Sequence, residues 1–113
     1  MKELMIQRSK WLRGEGPDKS RLLRPSDGKM CCLGFYALSC GLSHEQIKDH
    51  AEPADIAGIL PNEMIWTTRG PEGFKNAWPL ILTNDDAGIS ESKREENITK
   101  YFAEHNVHVK FVD

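Results

Sequence analysis

The densest apolar run in the chain is Met30-Cys31-Cys32-Leu33-Gly34-Phe35-Tyr36-Ala37-Leu38, entered through Pro25-Ser26-Asp27-Gly28 and left through Gly41. Within it Leu33, Tyr36, Ala37 and Cys40 recur at i, i+3, i+4, i+7, a spacing that predicts a helix from about Cys32 to Cys40. Phe35 and Leu38 widen the apolar stripe, so this helix should be buried on most sides. Gly41 suits the left-handed position that ends a helix. Gly34 lowers helix propensity by about 1 kcal/mol relative to Ala, and its place inside the run predicts close approach of another backbone.

The same patterns lay out the rest of the chain. Residues 3–13 read as a helix with Leu4, Met5, Trp11 and Leu12 on one broad face, stopped by Gly14 and Gly16-Pro17, and Trp11 as its anchor. Ser20–Arg24 and Lys29–Cys31 read as the short arms of a hairpin about the Pro25–Gly28 turn, where Pro presets φ, Asp27 can bond the local backbone and Gly28 accepts positive φ. Ser43-His44-Glu45-Gln46 is a capping box opening a helix to about His50. Pro53-Ala54-Asp55-Ile56 suggests one further turn. Residues 57–79 lack a period, and Thr83-Asn84-Asp85-Asp86 reads as a turn or loop. Near the C-terminus Ser90 or Ser92 caps a helix, with Ser92-Lys93-Arg94-Glu95 matching a capping box and Ile98, Tyr101 and Phe102 as its buried stripe. Asn106 ends it, and Val107–Val112 alternates as a strand. The fold class that follows is α+β: a single compact domain over 1–113 with about four helices and a small antiparallel sheet from 20–24, 29–31 and 107–112.

Composition narrows the setting. A chain of 113 residues can bury one core. Its longest apolar stretch is too short to span a bilayer, and its first residues, with charges inside the apolar run, are unlike a secretory signal. Three cysteines, two of them adjacent, argue for thiols in a reducing compartment rather than a disulfide framework. These features predict a cytoplasmic protein without a membrane partner. The formal net charge of -2 is unevenly divided, with +4 over residues 1–30 and -6 over the remainder. A basic N-terminal third beside an acidic remainder leaves room for a small anionic ligand, while the negative total argues against a long nucleic acid.

Taken in order, several landmarks form a pattern: a Trp-containing helix near the N-terminus, a basic loop with a Leu pair, Asp27-Gly28-Lys29-Met30-Cys31-Cys32-Leu33-Gly34, Leu60-Pro61, Leu82-Thr83-Asn84-Asp85, and a helix feeding a strand. The chain thereby resembles small proteins with a Cys-Cys-Leu-Gly core motif encoded by tailed bacteriophages and prophages. The resemblance implies origin, a phage product working in the host cytoplasm, and it carries no catalytic residue. It implies a non-enzymatic binder or inhibitor of a host bacterial protein, a counter-defence role included.

Four kinds of chemistry compete in the residues themselves. Cys31 or Cys32 at a helix N-terminus would have its thiolate favoured by the amide dipoles, an arrangement similar to papain-like hydrolases. His108 would then be the base, with Asp85, Asp86 or Asn84 to orient it. The competing reading makes both cysteines small buried hydrophobes. A metal site would have to draw on Cys31, Cys32, Cys40, His44 and His50, which lack the spacers that structural zinc favours, and no cofactor motif is present. The Asp85-Asp86 pair is also ordinary turn chemistry. Arg21 and Arg24, with Arg13 and Lys29 near Trp11, could hold a small anion such as a nucleotide. Finally, the aperiodic stretch from Gly58 to Ala77 carries Ile59, Met64, Ile65, Trp66, Arg69 and Phe74, the residue types of binding hot spots. It is the expected working surface.

Overall fold

The computed structural model describes residues 2–14, 21–50, 56, 58–62, 64 and 79–113. Strand β1 runs from Lys2 to Gln7, where the 3.6-residue period predicted a helix. Leu4 and Ile6 are buried while Glu3, Met5 and Gln7 are exposed, so the true period is two. A single 3-10 turn at Arg8–Lys10 follows. The chain then straightens, and Trp11 makes an isolated parallel bridge with Met30.

The partner of β1 is β2, Val107–Val112, the strand foreseen at the C-terminus. The two run parallel, in register from Lys2 opposite Val107 to Gln7 opposite Val112. This corrects the antiparallel sheet expected from 20–24, 29–31 and 107–112. Parallel neighbours require a long crossover, and here every helix of the chain lies between the two strands. The turn at Pro25–Gly28 does form: Gly28 N–H donates to Arg24 O at 2.8 Å, and Asp27 Oδ1 accepts from Lys29 N–H at 3.1 Å. Its arms are joined by two backbone hydrogen bonds, Arg24 N–H on Lys29 O at 2.8 Å and Cys31 N–H on Arg21 O at 3.0 Å, but they form no strand ladder. Leu23 bridges Lys48, and Met30 bridges Trp11.

Helix α1 spans Cys32–Ser39, with Cys31 as its N-cap and Cys40 as its C-cap. Cys32 through Ala37 are all buried, as the wide apolar stripe predicts. Gly41 takes φ 103°, the left-handed stop. Helix α2, His44–Ile47, opens on the expected capping box, with Gln46 N–H on Ser43 Oγ and Ser43 N–H on Gln46 Oε1, but it ends before His50. The turn suggested at Pro53–Ile56 lies almost wholly outside the described residues. Residues 79–85 are helical (α3), which overturns the loop expected from Thr83 through Asp85. Helix α4, Glu91–Ala103, is capped by Ser90, whose Oγ accepts from Lys93 N–H at 3.2 Å; Ser92 lies inside the helix rather than capping it. Asn106 reverses the chain into β2 with φ 64°, a left-handed value that Asn tolerates.

One core joins these elements. Leu4, Ile6, Val107 and Val109 form the inner face of the sheet, and α1 and α4 pack under it. Tyr36 of α1 meets Phe102 of α4 edge-on, centroids 5.3 Å apart. No helix among the described residues is long and apolar enough to cross a membrane.

Candidate binding surface

The polar centre of the interior is Asn84, in the last turn of α3 and 1% exposed. Its Oδ1 accepts from the Trp11 indole N–H at 2.8 Å and from Cys32 N–H at 3.1 Å. Its Nδ2 donates to Leu12 O at 3.0 Å and to Asp85 Oδ1 at 3.1 Å. Asn84 therefore caps the N-terminus of α1 from a distance of 52 residues, a task the Cys31 side chain leaves undone. Arg94, 2% exposed, performs the matching task for α3. Its Nη1 donates to the carbonyls of Thr83, Asn84 and Asp86 at 2.9, 3.1 and 2.7 Å, which satisfies the C-terminal end of that helix and places positive charge at its negative pole. Neither role was visible in the sequence. Asn84 and Arg94 lie in segments whose hydrophobic pattern says nothing about polar partners.

This network fixes the chemistry of the cysteines. None of the three is in a disulfide. Cys31 and Cys32 are 4% and 1% exposed. Burial pushes the Cys32 thiol well up, and neighbouring Cys31 and Asp85 push in the same direction. A nucleophilic cysteine needs the opposite. His108 is exposed on the outer face of the sheet, in register with Glu3, whereas the cysteines are buried in the core. The Cys31/Cys32, His108 and Asp85 constellation is not assembled. Native thiol titration should find Cys40 reacting first and Cys31 and Cys32 only after denaturant is added. Fast reaction of either buried thiol in the native protein would contradict this geometry.

The three arginines expected to hold an anion, Arg13, Arg21 and Arg24, already have carboxylate partners. Arg24 holds Asp27 through two bonds, at 3.1 and 2.7 Å, and with Lys29 N–H lowers that carboxyl to about 2. Arg21 lies 3.4 Å from Asp49. Arg13 pairs with Glu91 at 2.6 Å and stacks over the Trp11 ring at 4.4 Å. Among the described residues no three His, Cys, Asp or Glu side chains gather as a metal site would require. Trp66, Arg69 and Phe74 lie outside the described residues. Of the same stretch, Met64 is fully buried in the core and Ile59 is 47% exposed.

Two concavities on the described surface are large enough to take a ligand group. A cleft of about 340 Å³ lies between α3 and α4, where Asn97 Nδ2 donates to Thr83 Oγ1. A larger groove, about 520 Å³, runs between β1 and α1, with Val112 of β2 at its rim. Met5, 60% exposed, stands on the strand side of this groove, and Phe35 and Leu38 of α1 with Met30 line its apolar part. Lys10 lines it at one end of β1, and Ser39 and His44 line it where α1 gives way to α2. Comparison with known proteins finds no family model, no curated protein and no solved structure that matches the chain.

Proposed function

We propose that the chain is a non-enzymatic binding protein, phage-encoded, that engages a host bacterial protein in the host cytoplasm. The observation that carries this reading is the edge of β1 away from β2, which no strand among the described residues covers, beside an apolar groove. Edge strands left uncovered offer a template for another chain, and Met5 is among the few large apolar side chains that the described surface exposes. The phage origin rests on the Cys-Cys-Leu-Gly resemblance and the landmarks that accompany it. The stretch 58–77 supplies a second part of the surface in this reading, with Trp66, Arg69 and Phe74 as its anchors.

The test is capture from bacterial lysate by the immobilised chain, with Trp66→Ala alongside the native sequence. Capture of a defined host protein, lost in Trp66→Ala with the melting curve unmoved, is the expected result. A Trp serving only as packing would instead lower stability by about 3–5 kcal/mol on truncation. A catch indistinguishable from that of an unrelated protein of equal charge would remove the binding reading.

A further inference from the structure

We infer that the edge of β1 takes up an extended peptide segment, apolar in its middle and acidic at its ends, as a third strand of the sheet. This rests on the reading of the chain as a binding protein and names the chemistry of its partner. The hydrogen-bond phase of the sheet comes first. Lys2 N–H donates to Asn106 O at 3.1 Å, which commits the backbone of Lys2, Leu4 and Ile6 to β2 in a parallel ladder. The N–H and C=O groups of Glu3, Met5 and Gln7 therefore point away from β2. All three residues are exposed, and no turn or loop bond among the described residues takes up the backbone groups of Glu3 and Met5, whereas the Gln7 carbonyl is the N-cap acceptor of the 3-10 turn that follows. The register is uninterrupted and contains neither Pro nor a bulge, and the charges of β1, Lys2 and Glu3, are confined to its N-terminal end. The opposite edge of the sheet differs. There the residues in the outward phase are Val107, Val109 and Phe111, and the two valines are 2% and 5% exposed.

Side-chain chemistry selects the occupant. A strand laid on this edge sends alternate side chains toward Phe35 and Leu38 and the others beside Met5, so its middle must be apolar. Six residues cover about 20 Å, and over that length the cations stand at the two ends. Lys10 has no carboxylate partner among the described residues and lines the groove past the C-terminal end of β1. Lys2, whose Nζ reaches Ser39 O at 3.0 Å, lies toward the other end. No described lining residue of the groove is a carboxylate. Glu3 is in register with His108 on the outer face of the sheet. A second copy of the chain fits less well. Antiparallel pairing of two β1 strands about Met5 would turn Lys2 of one copy toward Lys10 of the other, cation against cation, while Arg8 is already held by Glu95 and Asp113.

Fluorescence polarisation with synthetic peptides tests this. The probe is a labelled peptide of alternating valine and isoleucine flanked by glutamates, compared with the same core flanked by lysines and with a version N-methylated at alternate residues. The acidic probe should bind about tenfold tighter than the lysine-flanked one, with affinity falling as salt rises. N-methylation on the phase that faces β1 should weaken it by about tenfold or more, because each blocked amide removes a ladder bond. Lys10→Glu should narrow or reverse the charge preference. Met5→Pro removes a donor that faces the edge and leaves the ladder to β2 intact, so the variant should fold and lose the probe, while Met5→Ala, which keeps the donor, should retain more of the binding. Equal binding of the N-methylated probe, equal binding of the two flanks, or dimerisation that disappears in Met5→Pro would each overturn the proposal. Its failure is separable from failure of the binding reading. A host protein still captured by Met5→Pro would leave that reading standing at another surface.

Discussion

Gly34→Ala should destabilise the protein by about 3 kcal/mol, although alanine is the better helix former by about 1 kcal/mol. A Cβ at position 34 would be driven into the carbonyl oxygen of Leu22, and it would also stand 2.8 Å from the Leu22 carbonyl carbon and 2.9 Å from Met30 Cβ. Neither side of that contact can give way cheaply. Leu22 is held by its own N–H on His50 O at 2.6 Å, and the same strip is tied again by Cys31 N–H on Arg21 O at 3.0 Å. On the other side, Gly34 lies within α1, flanked by the buried Leu33 and Phe35. The methyl must therefore separate a helix from a backbone strip, at a cost that overpacking sets at about 1–3 kcal/mol or more, before any gain in propensity. Gly34→Leu should leave little native protein. Urea melts followed by intrinsic fluorescence read both variants. An alanine variant as stable as the native chain would mean that the 21–24 strip does not lie on α1.

That close approach was legible in the sequence because a glycine inside an apolar helical run has few other reasons to be there. The elements whose signal is local were legible for the same kind of reason. The capping box of α2 and the turn at Asp27-Gly28 each need residues only a few positions apart. Strand β1 was not. Met5 and Trp11 complete a helical stripe with Leu4 and Leu12, and only β2, a hundred residues away, gives Leu4 and Ile6 a reason to alternate. The Thr83–Asp85 segment failed for a related reason. Asn-Asp-Asp is turn chemistry when judged by its neighbours, but here the amide of Asn84 is recruited by Trp11, Leu12 and Cys32, and the end of α3 is closed by Arg94. Long-range polar partners leave no period in a sequence. The candidate site divides along the same line. The cysteines and arginines that attract notice as residue types are committed to the interior and to ion pairs. The edge of β1 away from β2 carries only a strand of mixed side chains and becomes visible once β2 is known to occupy the other side.

Asn84→Ala should be the most damaging polar substitution, costing about 4 kcal/mol or more, since each buried group left without a partner costs about 1–3 kcal/mol. Three groups are stranded together: the indole N–H of Trp11, the Cys32 N–H at the start of α1, and the carbonyl of Leu12. They belong to two segments, the N-terminal chain at Trp11-Leu12 and the start of α1, so the loss uncouples both from α3 at one point. Asn84→Asp separates the roles of the two amide atoms. The acceptor that serves Trp11 and Cys32 is retained, but the donor becomes a second oxygen facing Leu12 O and Asp85 Oδ1. An ionised carboxyl in that place is disfavoured by burial and by those acceptors, so its folded-state pKa is raised above the unfolded value. A raised acid contributes stability that is fully present below the unfolded pKa and is lost as pH rises through the folded one. Relative to the native chain, Asn84→Asp should therefore be least destabilised in acid, where a protonated oxygen can donate as the amide does, and most destabilised at neutral pH. Paired urea melts of native, Asn84→Ala and Asn84→Asp proteins below and above the carboxylate range measure this directly. If the gap between native and Asn84→Asp does not change with pH, the Nδ2 hydrogen bonds do not carry the stability assigned to them here.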